Sequence, residues 1–231
     1  MLHIPQGDVR IIPRYTLAEA SRYLWINPVT LRSWARGRFY ETSGQRRHAK
    51  PLLGPSDRSA LSFLNLTEGH VLAALRQTHC VRMSKIRAAV AWLKQQFKTD
   101  YPLLHPELAT DGLDVFVREL GRLISASEHG QEVMREVIER YLSRIERDKN
   151  GVPIEFYPFT RGPDALETPK LIVINPEIAF GRPVISGTRV FASTIIERFK
   201  AGDNPNFLAE DYGIQLDAVH EAIRSQYEAA A

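Results

Sequence analysis

Arginines and hydroxyl side chains at helical spacing are the first chemistry this sequence offers. Thr30, Arg32, Ser33 and Arg36 alternate with apolar Val29, Leu31, Trp34 and Ala35, so they include the exposed positions of a short helix. Guanidinium and hydroxyl groups carried on one helix can meet base edges in the major groove of duplex DNA. Just downstream, Arg38, Arg46, Arg47 and Lys50 surround a Ser43-Gly44 turn, where long cationic side chains mainly meet phosphates. A second pair, Arg182 and Arg189, flanks a glycine-bounded turn around Val184 and Ile185. It either holds an acidic partner or braces its own turn. His70, His79 and Cys80 invite a soft-metal reading, but a single thiolate makes a weak site, so neither metal nor cofactor is expected. No nucleophile is paired with a base at readable spacing, no carboxylate cluster suggests a metal nuclease, and no glycine-rich nucleotide loop occurs. The chain reads as a binding protein and not as an enzyme.

The DNA-facing set needs two short helices behind it, and the local signals for both are present. Thr16-Leu17-Ala18-Glu19 has capping-box spacing, after which Leu17, Ala20, Tyr23 and Leu24 fall on one helical face. A second start follows at once, with Asn27 as N-cap and Pro28 as first helical residue, and Gly37 ends that helix. Such a pair makes a helix-turn-helix, although an ordinary helical hairpin would share the pattern. Arg38 to Lys50 then reads as two short arms around a glycine turn, a β-wing. Here the chain resembles the winged helix-turn-helix of MerR-type regulators, with Leu31-Arg32-Ser33-Trp34 at their Leu-Arg-aromatic position. Trp25 departs from that pattern: it occupies the turn position that is usually glycine, where a bulky side chain at positive φ would be strained.

Charge agrees with this division of labour. The net charge is +3, yet residues 1–100 hold 16 Lys/Arg against 6 Asp/Glu, while residues 101–231 hold 14 against 21. A polyanion suits the first half and a different partner the second. With 44% hydrophobic and 25% charged residues the 231-residue chain has a globular composition, which excludes a mainly disordered one. No apolar run reaches the roughly 18 residues of a membrane span, and no secretory signal is readable. With one cysteine, an intracellular, cytoplasmic setting is expected, with no membrane partner.

Further helices are expected at Leu66 to Thr78, started by Thr67 and Glu68, and at Ser84 to Phe97, capped by Ser84. The middle reads β-α-β: a strand at Asp114 to Leu120, a helix from Gln131 to Arg147, and a strand at Val152 to Phe159. Residues 160–170 read as a linker. Short strands at 171–174 and 184–185 precede three helices, Ala192 to Ala201, 204 to Tyr212, and a last one carrying Val219, Ile223 and Tyr227, whose acidic charge disfavours DNA. The expected class is mainly α with small β elements (α+β), divided into a DNA-binding half 1–100, an α+β segment 101–165 and a trihelical module 166–231. Apolar helical stripes between Leu66 and Tyr227 appear in excess of what small cores need, which points to a homodimer formed outside the wing.

The C-terminal part, with Asn175-Pro176, Phe180-Gly181-Arg182-Pro183 and Gly187-Thr188-Arg189 before Phe207-Leu208-Ala209-Glu210-Asp211-Tyr212-Gly213, resembles a small bacterial domain family long described only as of unknown function. With Leu61-Ser62-Phe63-Leu64-Asn65-Leu66-Thr67-Glu68, the whole chain resembles the longer VapB-type antitoxins of type II toxin–antitoxin pairs. The resemblance implies a protein that blocks a PIN-domain ribonuclease toxin encoded nearby and represses the shared operon by binding duplex operator DNA, with Arg182 and Arg189 as toxin-facing candidates. The rival expectation is a stand-alone MerR-like regulator with a ligand-sensing second domain.

Overall fold

The structure is a computed structural model that describes residues 4–57, 60–77, 81–110, 112–124, 126–162, 165 and 167–227; His79 and Cys80 lie outside them. In chain order the elements are β1 (Tyr15–Thr16), α1 (Leu17–Leu24), α2 (Pro28–Arg36), β2 (Arg38–Thr42), β3 (Gln45–Ala49), β4 (Ala60–Leu61), α3 (Phe63–Gln77) and α4 (Met83–Phe97). Then follow α5 (Gly112–Ile124), α6 (Glu128–Leu142), β5 (Ile145–Arg147), β6 (Pro153–Phe156), β7 (Ile172–Val173), β8 (Val184–Ile185), α7 (Ala192–Lys200), α8 (Pro205–Tyr212) and α9 (Leu216–Tyr227). Among the described residues the strands pair in antiparallel twos, β1 with β4, β2 with β3, β5 with β6 and β7 with β8. The mainly helical α+β class therefore holds. Among the described residues no helix is long and apolar enough to cross a membrane.

Several boundaries differ from the sequence expectation, each for a packing reason. Asp114 to Leu120 is not a strand but the middle of α5, so the middle segment runs helix, helix, hairpin rather than β-α-β. Leu113, Phe116, Val117 and Leu120 bury one helical stripe, while Val115, needed for strand alternation, stays 47% exposed. The helix expected to reach Arg147 stops at Leu142, and Ile145–Arg147 instead pairs with Pro153–Phe156 across the Asp148–Gly151 turn. Ser127, not a residue near Gln131, caps it, accepting from the Gly130 amide. Helix α3 begins three residues early because Ser62 and Asn65 cap it reciprocally, each side-chain oxygen accepting the other's backbone N–H at 3.1 Å. Thr67 and Glu68 consequently lie inside α3, both fully buried. Ser84 does not cap α4, which starts at Met83 after Arg82 without a side-chain cap.

One hydrophobic core takes buried side chains from Tyr15 through Ile174, so residues before and after position 100 pack around a common centre. A second, smaller core from Ile172 to Ala222 holds α7, α8 and α9 together. Helix α3 is the central post and is buried on nearly all sides from Phe63 to Leu75. The buried stripes of α3, α4, α5 and α6 pack mostly within the chain, while Val115 of α5 and Val133 of α6 stay exposed. His70, on α3, is buried among Tyr141, Phe156 and Phe159, with Nε2 3.1 Å from the Tyr141 carbonyl, and burial lowers its pKa to about 3. It is a neutral core histidine.

The described residues of the expected linker, 160–162, 165 and 167–170, are tied to α9 and to the segment around the end of α6. Arg144, at the end of α6, is 3% exposed and donates to the carbonyls of Tyr157, Pro158, Thr168 and Pro169 at 2.5–3.1 Å. On α9, Glu221 is 1% exposed; it accepts from the Thr160 hydroxyl at 2.5 Å and pairs with Arg161 and Arg224. The C-terminal module also docks on the first strand: Tyr15 donates its hydroxyl to the Gly181 carbonyl at 3.0 Å, and Arg14 reaches Pro176 O at 3.3 Å. Gly181 is required there. Its φ is +76°, and a Cβ would lie 2.5 Å from the Tyr15 hydroxyl.

Candidate nucleic-acid interface

The capping signals act as read. Thr16 Oγ1 accepts from the Glu19 amide at 3.2 Å while Glu19 Oε2 accepts from the Thr16 amide at 2.9 Å, which sets the start of α1. Asn27 Oδ1 accepts from the Val29 amide at 2.9 Å and starts α2 at Pro28. Between the helices Trp25 is indeed left-handed, at φ 55° and ψ 39°. Its strain is held in place by tertiary contacts: the indole Nε1 donates to the Phe159 carbonyl at 2.7 Å, and the Ile26 amide reaches back to Ser21 O at 3.0 Å. Ala20, Ser21 and Leu24 of α1 and Leu31, Trp34 and Ala35 of α2 are buried, so each helix offers one remaining face to solvent.

On α2 that face carries Arg32 and Arg36, both exposed, with Ser33 half-buried beside them. Thr30 is half-buried and lines a crevice of about 190 Å³ together with Trp25, Asn27 and Arg76, so it stands at the edge of the face. Val29 was assigned to the apolar side by the sequence pattern but is 71% exposed on the helix's first turn, next to Arg32 and Arg36 at i+3 and i+7. An exposed valine among arginines suits the methyl group of thymine.

Gly37, at φ 74°, turns the chain into the wing and could be no other residue, since a Cβ would sit 2.4 Å from the Ala49 carbonyl. Ser43 and Gly44 both have positive φ, which matches a two-residue hairpin turn, and the register runs Arg38↔Ala49, Phe39↔His48, Tyr40↔Arg47, Glu41↔Arg46 and Thr42↔Gln45. Side chains alternate, so Arg38, Tyr40 and Arg47 share one face, whereas Arg46 lies on the other, its guanidinium 4.3 Å from the Phe39 ring centre. The wing thus separates Arg46 from Arg47, which adjacency in sequence had grouped. Lys50 stays exposed at the base. Its carbonyl accepts from Arg87 of α4, and burial together with the nearby Arg38 charge lowers the Arg87 pKa. Arg87 therefore joins Arg38, Arg47 and Lys50, a member that no local signal could have revealed 37 residues downstream.

The two C-terminal arginines are less alike than their spacing implied. Arg182 lies 5.9 Å from the Phe191 ring at a cleft against α1, while Arg189 stands exposed after the β8 turn. Among the described residues no carboxylate pairs with either. The turn is closed instead by Thr188, whose hydroxyl donates to Ile185 O at 2.9 Å and accepts from the Val190 amide at 3.0 Å. Among the described residues no group of three or more His, Cys, Asp or Glu side chains is placed to hold a metal ion.

Comparison with known proteins matches this geometry in two places. The family described as "Putative DNA-binding HTH domain" matches residues 13–90, and "Protein of unknown function (DUF433)" matches residues 172–224. Over most of the chain the sequence is 30% identical to "Putative antitoxin VapB45" of Mycobacterium tuberculosis, covering 92% of this chain and 93% of that protein. It is 29% identical to "Uncharacterized protein Rv2308" of the same organism, covering 90% and 88%. The crystal structure of Rv2018 from Mycobacterium tuberculosis superposes with a TM-score of 0.69 at 26% identity, covering 93% of this chain and 99% of that one.

Proposed function

This chain belongs to the family of the Mycobacterium tuberculosis protein named "Putative antitoxin VapB45", and from that premise we propose that it is an antitoxin that binds operator DNA and neutralises a toxin encoded beside it. It carries a helix-turn-helix of a DNA-binding family, and both findings point to a non-enzymatic regulator. The observation that supports DNA binding most directly is the solvent-facing set on α2, Val29, Arg32 and Arg36, flanked by the Arg38, Arg47, Lys50 and Arg87 cluster. In this reading Arg32 and Arg36, with Thr30 and Ser33 at the edge, approach base edges, while Arg38, Arg46, Arg47 and Lys50 meet phosphates. The protein acts in the cytoplasm as a dimer, because one helix-turn-helix covers a single half-site, and it represses its own operon. The toxin is a PIN-domain ribonuclease, whose acidic metal-binding site would accept Arg182 and Arg189 presented by the C-terminal module.

Gel shift with DNA from upstream of its own gene tests the first half. Arg32→Ala with Arg36→Ala should weaken binding at least tenfold, because a base contact is worth about 1–3 kcal/mol. Arg47→Ala should lower the salt slope by about one. Unchanged affinity in the double variant would remove α2 from the interface. Co-purification with the neighbouring PIN-domain protein, followed by an RNA-cleavage assay, tests the second half. Full cleavage in the complex would remove the antitoxin reading, and inhibition that survives Arg182→Ala with Arg189→Ala would remove the arginine mechanism alone.

A further inference from the structure

Between α1 and the C-terminal module lies a cleft of about 520 Å³, within the range that binds small organic ligands. Its walls come from both halves of the chain: Arg22 and Tyr23 from α1, Arg182 from the loop before β8, and Ile196 and Lys200 from α7, with Phe159 also in the lining. Arg22, Arg182 and Lys200 line this space, and none of them pairs with a carboxylate among the described residues. Two acids also line it. One, Glu19, has Oε2 committed to the Thr16 amide and hydroxyl at 2.9 and 2.7 Å, and the other, Glu197, is exposed on α7. The Tyr23 phenol stands among these groups; burial and then the Glu19 charge raise its pKa to about 12, against the weaker opposing pull of Arg22 and Arg182. Three cations therefore outnumber two carboxylates around a phenol, beside apolar surface supplied by Pro183 and Ile196.

We propose that this cleft is a binding site for a small organic anion, its carboxylate, phosphate or sulfonate head held by Arg22, Arg182 and Lys200 and its apolar body lying on Pro183 and Ile196. Arginine and lysine are the donors that recognise such heads, and a ligand buried against the apolar lining removes water from both. Because the site spans α1 and α7, occupancy favours one seating of the helix-turn-helix on the C-terminal module, and any difference in DNA affinity between seatings then becomes ligand-dependent. The assignment shares Arg182 with the toxin reading, but its test involves no toxin and varies Arg22 and Ser193, which that reading does not use.

The probe is 1-anilinonaphthalene-8-sulfonate, an anion with an aromatic body, titrated into the full chain with fluorescence and calorimetric readouts. The expected result is one saturable equivalent that is weakened at least tenfold by Arg22→Glu and by Ser193→Trp, which fills the cleft without changing charge. Lys149→Glu, on the exposed β5–β6 turn, has the same charge change as Arg22→Glu and should leave that equivalent intact. Circular dichroism of each variant checks folding. Arg22 is exposed, so its reversal remains informative should the tryptophan variant misfold. Absence of a saturable equivalent, or equal binding by the wild type and the Arg22→Glu protein, overturns the proposal.

Discussion

Glu68 offers a sharp test of how this core is built. It sits in mid-α3 with 0% exposure; Oε2 accepts from the Gly54 amide at 2.6 Å, and Oε1 has no hydrogen-bond partner of good geometry among the described residues. Burial drives its pKa from the usual 4.5 up to about 8, and the weaker pull of the Gly54 and Leu103 amides does not offset it. The folded chain therefore keeps the Glu68 proton across a range where the unfolded chain has lost it. Stability from this group is full below the unfolded value and is lost as pH rises toward the folded one. The slope is about 1.4 kcal/mol per pH unit, or about 3 kcal/mol between pH of about 5.5 and about 7.5. Glu68→Gln retains an acceptor for Gly54 and removes the titration. The variant should match the wild type near pH of about 4 and exceed it by about 3 kcal/mol near pH of about 7, roughly 6–12 °C in Tm for a chain of this size. Paired urea and thermal unfolding across that range measure the difference, in which all other titrating groups cancel. A difference between the two proteins that stays constant with pH would refute the reading of Glu68 as a buried neutral acid.

Two further outcomes follow from contacts that join the halves of the chain. Gly181→Ala should destabilise by about 2–4 kcal/mol, combining an alanine at positive φ with a clash at the buried Tyr15 hydroxyl, and should raise proteolytic cleavage around residue 180; unchanged unfolding and digestion would exclude that docking contact. Trp25→Phe keeps an aromatic ring at the turn but strands the Phe159 carbonyl. Chemical denaturation should show a loss of about 1–2 kcal/mol, with weaker operator binding, whereas wild-type stability would mean that the indole hydrogen bond does not secure the turn.

What could be read from the sequence was whatever nearest neighbours decide. The Thr16–Glu19 capping box, the Asn27-Pro28 start, the stop at Gly37 and the Ser43-Gly44 turn each satisfy backbone groups or set φ within a few residues, so both helices, the wing and its cations were legible. The three C-terminal helices were legible for the same reason, each bounded by Gly, Asn-Pro or a helix-starting acid. Tertiary structure decided whatever depends on which face finds a partner. Asp114 to Leu120 carries both a strand-like alternation and a helical stripe, and only packing of α5 against α4 and α6 chose the helix. Val29 fitted an apolar pattern but faces water because no element covers the first turn of α2. Trp25 could be flagged as strained from sequence, whereas the carbonyl that holds it lies 134 residues away. Likewise Arg87 enters the cationic cluster, and Gly181 meets Tyr15 across 166 residues, through contacts that close only when the core forms. Local hydrogen bonding and φ preferences act within a few residues of chain, whereas burial is a property of the whole folded surface.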